Sequence, residues 1–205
     1  AFMYAADAGI FVAASAGNSG PTTSTVAHPG PWLTTVAAGT HNRNGEGSVT
    51  LGNGATYAGA SFASALGSTL LVDSANAVAS GASAADAELC APGALDSSVV
   101  AGTIVLCKRG VYAGVDKSLA VAEAGGVGMV LYNDPVGATN TLALFHSVPT
   151  VHVVAASGLA IKAYIAAGDA TAKITGGVYT KVDAPWMASF SSRGPNAVAA
   201  DIIKP

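Results

Sequence analysis

The sequence has few charged residues. They make up 10% of its 205 residues, nine Lys or Arg against twelve Asp or Glu, whereas globular proteins carry about 25%. A chain with so little charge and 51% hydrophobic residues is not disordered, because disordered chains are poor in apolar side chains and rich in net charge. The basic residues are also scattered, so the basic stripe of a nucleic-acid-binding protein is missing and we expect no nucleic-acid partner.

Long apolar runs are absent as well. Mean hydropathy is +0.48, yet no window of about 20 residues is apolar throughout, so we predict no membrane-spanning segment and no membrane partner. The chain begins at Ala1 without an initiator Met, a basic segment or a signal-peptide cleavage site, and it stops at Lys204-Pro205. We therefore expect both ends to be cuts in a longer polypeptide.

Cysteine and histidine are scarce, with two Cys and four His. No cluster supplies the four ligands of a zinc site, and the acidic residues lack the spacing of a calcium loop, so we expect neither a metal nor a cofactor. Cys90 and Cys107 stand 17 positions apart. This spacing leaves two alternatives open: a disulfide of a secreted protein, worth about 3 kcal/mol, or two buried thiols.

The first part of the chain alternates short helix and strand signals with glycine-rich turns. We predict a helix at residues 1–8, a buried strand at 10–14 and a second strand at 33–38. The turn at 51–54 predicts a β-hairpin. The loop at 15–21 follows the carboxyl end of the first strand, which is where ligands bind in open α/β sheets.

From about residue 65 to residue 180 the pattern indicates a self-contained α+β unit. One helix is predicted from Asp116 as its N-cap to Gly125, and another from Ser157 to Gly168. For residues 74–87 the sequence does not decide between two structures, a loop and a frayed helix. After this unit the chain returns as one more strand at 186–190. The strands of the unit itself are predicted at residues 70–72, 103–107, 128–132, 150–154 and 172–178.

Collinear segments outside this unit resemble the core of subtilisin-like serine proteases. These segments are residues 11–21 (FVAASAGNSGP), 28–30 (HPG), 35–40 (TVAAGT), 188–196 (ASFSSRGPN) and 203–205 (IKP). Each is weak evidence alone, but their shared order is specific. The resemblance implies a partial α/β parallel-sheet core, a polypeptide substrate and, in the intact enzyme, acyl transfer by a serine nucleophile.

The resemblance also assigns roles to residues of that core. It makes Asn18 the side-chain donor of the oxyanion hole, since an amide on a Gly-rich loop meets the oxyanion without adding a charge. Without the resemblance, Asn18 is more readily a turn residue that tolerates left-handed geometry. His28 departs from the aromatic or small residue that the family has at its position. The pocket for the residue before the scissile bond would have Ser15, Ala16 and Gly17 along one wall and His28, Pro29 and Gly30 at its floor.

The catalytic triad of such proteases is missing from the sequence. Their His stands in a His-Gly-Thr context and their Ser in a Gly-Thr-Ser-Met-Ala context, and neither context occurs. The string at residues 59–64 (GASFAS) imitates the Ser context, but it precedes the segment at 188–196 instead of following it. We therefore interpret Ser61 as non-catalytic and expect the chain alone to hydrolyse nothing.

The middle unit resembles the protease-associated (PA) domain. The similarity lies in residues 90–95, 100–110, 117–133 and 148–153. It implies a β-barrel-like α+β insert at 65–180, between two parts of the catalytic core at 1–64 and 181–205. It also implies a disulfide between Cys90 and Cys107.

Together the two resemblances imply a fragment of a secreted subtilisin-like endopeptidase. By analogy with the family, the loops at 110–114 and 133–146 contact polypeptide substrate, a pro-segment or a second subunit. Two alternatives stay open: a stand-alone, non-catalytic PA-type interaction module, and an inhibitor or pseudoprotease with an altered triad.

Overall fold

The computed structural model describes residues 1–204, which divide into two compact units. Of the described residues, unit 1 contains 1–42, 136–140 and 182–204. Unit 2 contains Arg43–Pro135 and Thr141–Lys181. No helix of the described residues is long and apolar enough to span a membrane.

Unit 1 contains a short helix and two parallel strands. Helix α1 (Phe2–Asp7) precedes β1 (Ala13–Ser15) and β2 (Thr34–Val36). The strands pair in parallel over their full length, with Ala13 opposite Thr34. The helix predicted at 1–8 and the strand predicted at 33–38 are thereby confirmed.

The buried strand predicted at residues 10–14 is wrong in both extent and burial. Strand β1 starts only at Ala13, and Ile10 and Phe11 are 59% and 79% exposed. Within the described chain β1 pairs with β2 alone, and this pairing reaches back only to Val12, whose O accepts from Thr34 N at 2.9 Å, so Ile10 and Phe11 precede the paired segment.

The strand predicted at residues 186–190 is also wrong. One isolated antiparallel bridge joins Met187 to Gly39, and the chain then turns where Ser191 N donates to Ala188 O at 3.1 Å. Because the backbone turns here, it leaves the extended conformation, and the pairing with the segment around Gly39 ends.

Unit 2 is a closed barrel of seven strands. Parallel pairing joins β5, β6, β7 and β8, and the other neighbours pair antiparallel in the order β3-β4-β8-β7-β6-β5-β9. The barrel-like fold predicted for the insert and the hairpin at 51–54 are confirmed. The strands are β3 (Arg43–Leu51), β4 (Thr56–Ala60), β5 (Leu66–Asp73), β6 (Ile104–Lys108), β7 (Gly128–Tyr132), β8 (Thr150–Val153) and β9 (Thr171–Lys181).

Four helices belong to the same unit. The stretch left undecided at 74–87 splits into a 3-10 turn at Ser74–Asn76 and the start of the first of these helices. Ser83 caps that helix, since its Oγ accepts from Asp86 N at 3.0 Å. The helices are α2 (Ala84–Glu88), α3 (Ser97–Val100), α4 (Gly114–Glu123) and α5 (Ala155–Ala166).

The two longer helices begin earlier than predicted. Helix α4 starts at Gly114, so Asp116 is not its N-cap but lies in its first turn, where a carboxylate interacts favourably with the positive helix end. Helix α5 starts at Ala155 instead of Ser157. Neither helix has a side-chain cap, which is why no sequence signal marks where it begins.

Two apolar layers stabilise unit 2, and the alternation along β6 separates them. Ile104 and Leu106 belong to the cluster inside the barrel, whereas Val105 and Cys107 belong to the cluster that includes residues of α2, α3 and α4. All four side chains are fully buried. The strand therefore reads as one continuous apolar run, as parallel strands do.

The hairpin formed by β3 and β4 completes the barrel. Strand β3 pairs with β9 from Arg43 to Leu51, and β4 pairs with β8. The compact unit therefore begins at Arg43, whereas the sequence places the start of the insert at residue 65. The first half of β3 is polar and glycine-rich, so it lacks the apolar pattern that would mark it as a barrel strand.

Candidate functional site

The loop after β1 is positioned by both strands of unit 1. Ala16 N donates to Val36 O at 2.8 Å, so the parallel pairing continues one residue past β1. At Gly17 the backbone turns with a φ of +97°, which residues with a side chain rarely adopt. Asn18 therefore stands at the carboxyl edge of the sheet, where α/β proteins bind ligands.

Residues 190–192 fix this loop through three hydrogen bonds. Ser192 N donates to Gly17 O at 3.0 Å, and Ser19 N donates to Ser192 Oγ at 3.0 Å. Gly20 N donates to Phe190 O at 2.9 Å. The backbone is thus defined on both sides of the central asparagine. The Ser192 hydroxyl was not singled out from the sequence, although it lies within the matched segment 188–196.

The side-chain amide of Asn18 is available for a ligand. Asn18 is exposed, and its amide makes no hydrogen bond to any residue that the structure describes. Its φ also lies outside the positive region, where the described non-glycine residues are Ser24, His28, Cys90 and Asp169. The alternative role, a left-handed turn residue, is therefore not supported by the backbone. An exposed amide on a fixed loop can donate a hydrogen bond to an anionic oxygen.

A cleft of about 400 Å³ opens beside Asn18. Residues 13–18 and 36–38 line it, so the structure brings Ser15, Ala16 and Gly17 to one wall of this cleft. The lining side chains are uncharged and mostly small, which leaves space for a substrate side chain.

The predicted floor residues lie elsewhere in unit 1. His28, Pro29 and Gly30 line a separate, largely apolar cavity of about 460 Å³ with residues of α1 and of the turn at 31–33. His28 has a φ of +57°, and its Nδ1–H donates to Ser15 O at 3.0 Å. His28 therefore contacts the wall through Ser15, and none of the three residues lines the cleft beside Asn18.

Ser61, in the string that imitates a catalytic serine context, has a structural role in the barrel. It is 1% exposed, its Oγ donates to Thr150 O at 2.7 Å, and the same oxygen accepts from Ala63 N at 3.0 Å. A buried hydroxyl engaged in this way is not a nucleophile poised for substrate.

The buried histidine of the barrel is also structural. His152 is 2% exposed, and its Nε2–H donates to Asn133 Oδ1 at 2.9 Å while its Nδ1 accepts from Leu142 N at 3.0 Å. Burial, together with the nearby Arg109 charge, lowers the pKa of His152 to about 4. The imidazole is therefore neutral near pH 7 with both nitrogens engaged, and its one lone pair, on Nδ1, accepts from Leu142 N and is not free for proton transfer.

The two cysteines of unit 2 form a disulfide. Cys90 follows α2 and Cys107 lies in β6, with their Cα atoms 5.7 Å apart. The disulfide implied by the PA resemblance is confirmed. No group of three or more His, Cys, Asp or Glu side chains within residues 1–204 is arranged to hold a metal ion.

Comparison with known proteins gives consistent matches. The family model of the PA domain matches residues 34–161. Over 99% of its length the chain is 42% identical to Subtilisin-like protease SBT5.3 of Arabidopsis thaliana, and over 98% it is 38% identical to Subtilisin-like protease SBT1.7 of the same organism. It spans 27% of the length of each relative.

Among solved structures, the chain is similar to the psychrophilic subtilisin-like protease Apa1 from Pseudoalteromonas sp. AS-11. The TM-score is 0.46 at 19% identity, covering 92% of this chain and 53% of that one. The family match covers more than half of the chain, and the barrel, the disulfide and the curated relatives agree with it. The chain belongs to the PA domain family, and nearly all of its sequence is related to subtilisin-like proteases.

Proposed function

We propose that the chain is a segment of a secreted subtilisin-like serine endopeptidase in which Asn18 stabilises the oxyanion. The observation that carries the proposal is the exposed, unpartnered Asn18 amide, in the described chain, on a loop fixed by Phe190 and Ser192. Donors fixed before reaction stabilise the tetrahedral intermediate most, because they need no reorganisation when charge develops. The relatives' names as subtilisin-like proteases support this function.

The cleft beside Asn18 would hold the substrate residue before the scissile bond. Ser15, Ala16 and Gly17 form its wall, and the amide of Asn18 lies at the end of that wall. His28, Pro29 and Gly30 would shape this pocket indirectly, through the hydrogen bond from His28 to Ser15 O. No step of this proposal requires a metal or a cofactor.

The seven-stranded barrel would be the protein-interaction part of the same enzyme. We propose that it contacts polypeptide substrate, a pro-segment or a second subunit, and that residues 1–42 and those after Val182 belong to the catalytic core. The disulfide between Cys90 and Cys107 supports an oxidising, extracellular location.

The triad contexts are missing from the sequence, so the chain alone would be inactive. Covalent labelling of any of its serines by a fluorophosphonate would contradict this.

The test is kinetic and uses the full-length protein that contains this segment. We expect Asn18→Ala to lower kcat on a peptide substrate by about 10²–10³, the cost known for the corresponding asparagine of subtilisin itself, with little change in KM. Asn53→Ala, at the exposed hairpin turn of the barrel, is the matched control and should leave kcat unchanged. A full-length protein that hydrolyses no peptide would favour the non-catalytic PA module instead.

A further inference from the structure

The connection between β7 and β8 contains a segment that belongs to unit 1. Strand β7 ends at Tyr132 and β8 begins at Thr150, and between them residues Val136–Asn140 group with unit 1 by their contacts. We call Val136–Asn140 the strap. From the sequence, we expect the loop at 133–146 that contains the strap to contact polypeptide substrate, a pro-segment or a second subunit.

The strap is joined to Ser189 by reciprocal hydrogen bonds. Asn140 Oδ1 accepts from Ser189 N at 2.5 Å, and Ser189 Oγ accepts from Thr139 N at 3.0 Å and from Asn140 N at 3.3 Å. Both the backbone and the side chain of Ser189 are therefore held. One amide side chain, that of Asn140, supplies the acceptor for the Ser189 backbone.

Ser189 immediately precedes the residues that fix the Asn18 loop. Phe190 O accepts from Gly20 N at 2.9 Å, and Ser192 bonds to the backbone on both sides of Asn18. The fit is close, since a Cβ at Gly20 would lie 2.0 Å from Ser191 O and 2.9 Å from Ser189 O. A displacement of Ser189 would consequently move the backbone that positions the Asn18 amide.

We propose that Asn140 is a positioning residue for the oxyanion donor Asn18, acting through Ser189 and residues 190–192. The inference rests on the proposed function, because it concerns the same oxyanion site. Gly17 precedes Asn18 directly and Gly20 follows it two residues later, and the tip of this loop is exposed, so hydrogen bonds from outside the loop are needed to keep the amide in one place. Small misplacements of a catalytic donor cost rate rather than substrate affinity.

The test compares Asn140→Ala, Asn140→Asp and a control in the full-length protease. We expect Asn140→Ala to lower kcat about tenfold or more with KM within about twofold. Asn140→Asp should retain most of kcat, because its carboxylate still accepts from Ser189 N. Thr141→Ala is the control, since the Thr141 side chain makes no hydrogen bond in the described chain and its loss should leave kcat unchanged.

A double-mutant cycle with Asn18→Ala separates positioning from a general structural effect. If Asn140 acts through Asn18, then Asn140→Ala has no further effect on kcat once Asn18 is removed. An active wild-type enzyme with unchanged kcat in Asn140→Ala, or fully additive losses in the double mutant, overturns the inference.

Amide hydrogen exchange in the 205-residue chain tests the coupling without any catalysis. Asn140→Ala should speed exchange at Ser189 and Gly20 at least tenfold, and Thr141→Ala should not. Unchanged exchange overturns the coupling. A full-length protein with no peptidase activity but with this exchange response would overturn the proposed function and leave the strap coupling intact.

Discussion

Lys117 is an ionisable residue whose large side chain is fully buried. It is 0% exposed, its Nζ donates to Leu89 O, and it lies 5.5 Å from the ring centroid of Tyr112. No carboxylate pairs with it in the part of the chain that the structure describes. Burial therefore lowers the pKa of Lys117 to about 8.

This buried amine predicts that stability rises with pH in an unusual range. Between pH 8 and about 10.4 the folded state holds Lys117 neutral while the unfolded state still binds the proton, so the free energy of unfolding increases with pH, by at most ~3 kcal/mol. The measurement is urea unfolding of the wild type and of Lys117→Met at several pH values. The difference in unfolding free energy between the two should grow in favour of the wild type across this range.

Lys173→Met is the matched control, because Lys173 is exposed on β9. Its stability relative to the wild type should not vary between pH 8 and 10.4. A Lys117→Met difference that is flat over the same range would contradict the assigned pKa.

At the scale of the elements, one seam of the barrel has few strand pairs. Strands β4 and β8 share the single register pair Ala60 and His152, whereas β3 and β9 pair along most of their length. Ser61 directly follows β4, and its hydroxyl donates a hydrogen bond to the backbone O of Thr150, which is the first residue of β8. This side-chain bond takes the place of a ladder bond at the seam.

We therefore predict that Ser61→Ala destabilises the barrel by about 1–3 kcal/mol, because it leaves the buried Thr150 carbonyl without its partner. Amide exchange in β4 and β8 should accelerate more than in β6 and β7. Ser64→Ala removes an exposed hydroxyl three residues later and should change unfolding by less than about 0.5 kcal/mol. Equal effects of the two substitutions would show that the seam does not depend on Ser61.

The elements that the sequence predicts well are those with local signals. Strands β6 and β7 are buried on both faces, so each contains an unbroken apolar run in the sequence. Strand β8 is also buried, although it contains Thr150 and His152, and all three strands lie within a residue of their predicted bounds. Strand β3 could not be predicted in this way, because its polar half is held by pairing with β9, more than 120 residues away in sequence.

The residues of the candidate site also differ in whether a local sequence signal predicts them. The Asn18 loop is visible in sequence because a glycine-rich string follows a strand signal. The Asn140 contact to Ser189 bridges 49 positions, and each of its hydrogen bonds joins a backbone N–H to a side-chain oxygen, so no local residue pattern indicates it.

At the scale of the whole molecule, the barrel begins and ends at neighbouring residues. Arg43 of β3 pairs with Lys181 of β9, and in unit 1 Val182 N donates to Asn42 O at 3.1 Å. The two ends of the barrel, Arg43 and Lys181, are therefore adjacent, and so are residues 42 and 182 of unit 1, so that a short turn could join either pair. This geometry is what an inserted domain needs if it is to have its own core.

We predict that residues 43–181 fold as an independent, disulfide-bonded domain, because this range contains every barrel strand and both apolar clusters. Circular dichroism and a cooperative urea transition would show this. The shorter piece 65–181 lacks β3 and β4, leaves β8 and β9 with unpaired edges, and should not unfold cooperatively. Cooperative unfolding of the shorter piece would place the domain start at residue 65.

The meeting of the barrel ends also bears on the order of folding during synthesis. The barrel is complete once Lys181 has been made, whereas the bonds from Phe190 and Ser192 to the Asn18 loop require residues made later. Because domains generally fold as units while the ribosome extends the chain, we expect the barrel to form first and to bring residues 42 and 182 together. Residues 190–192 can then bond to the Asn18 loop without the intervening chain having to close as a long flexible loop. The entropy that such a loop closure would cost is thereby avoided.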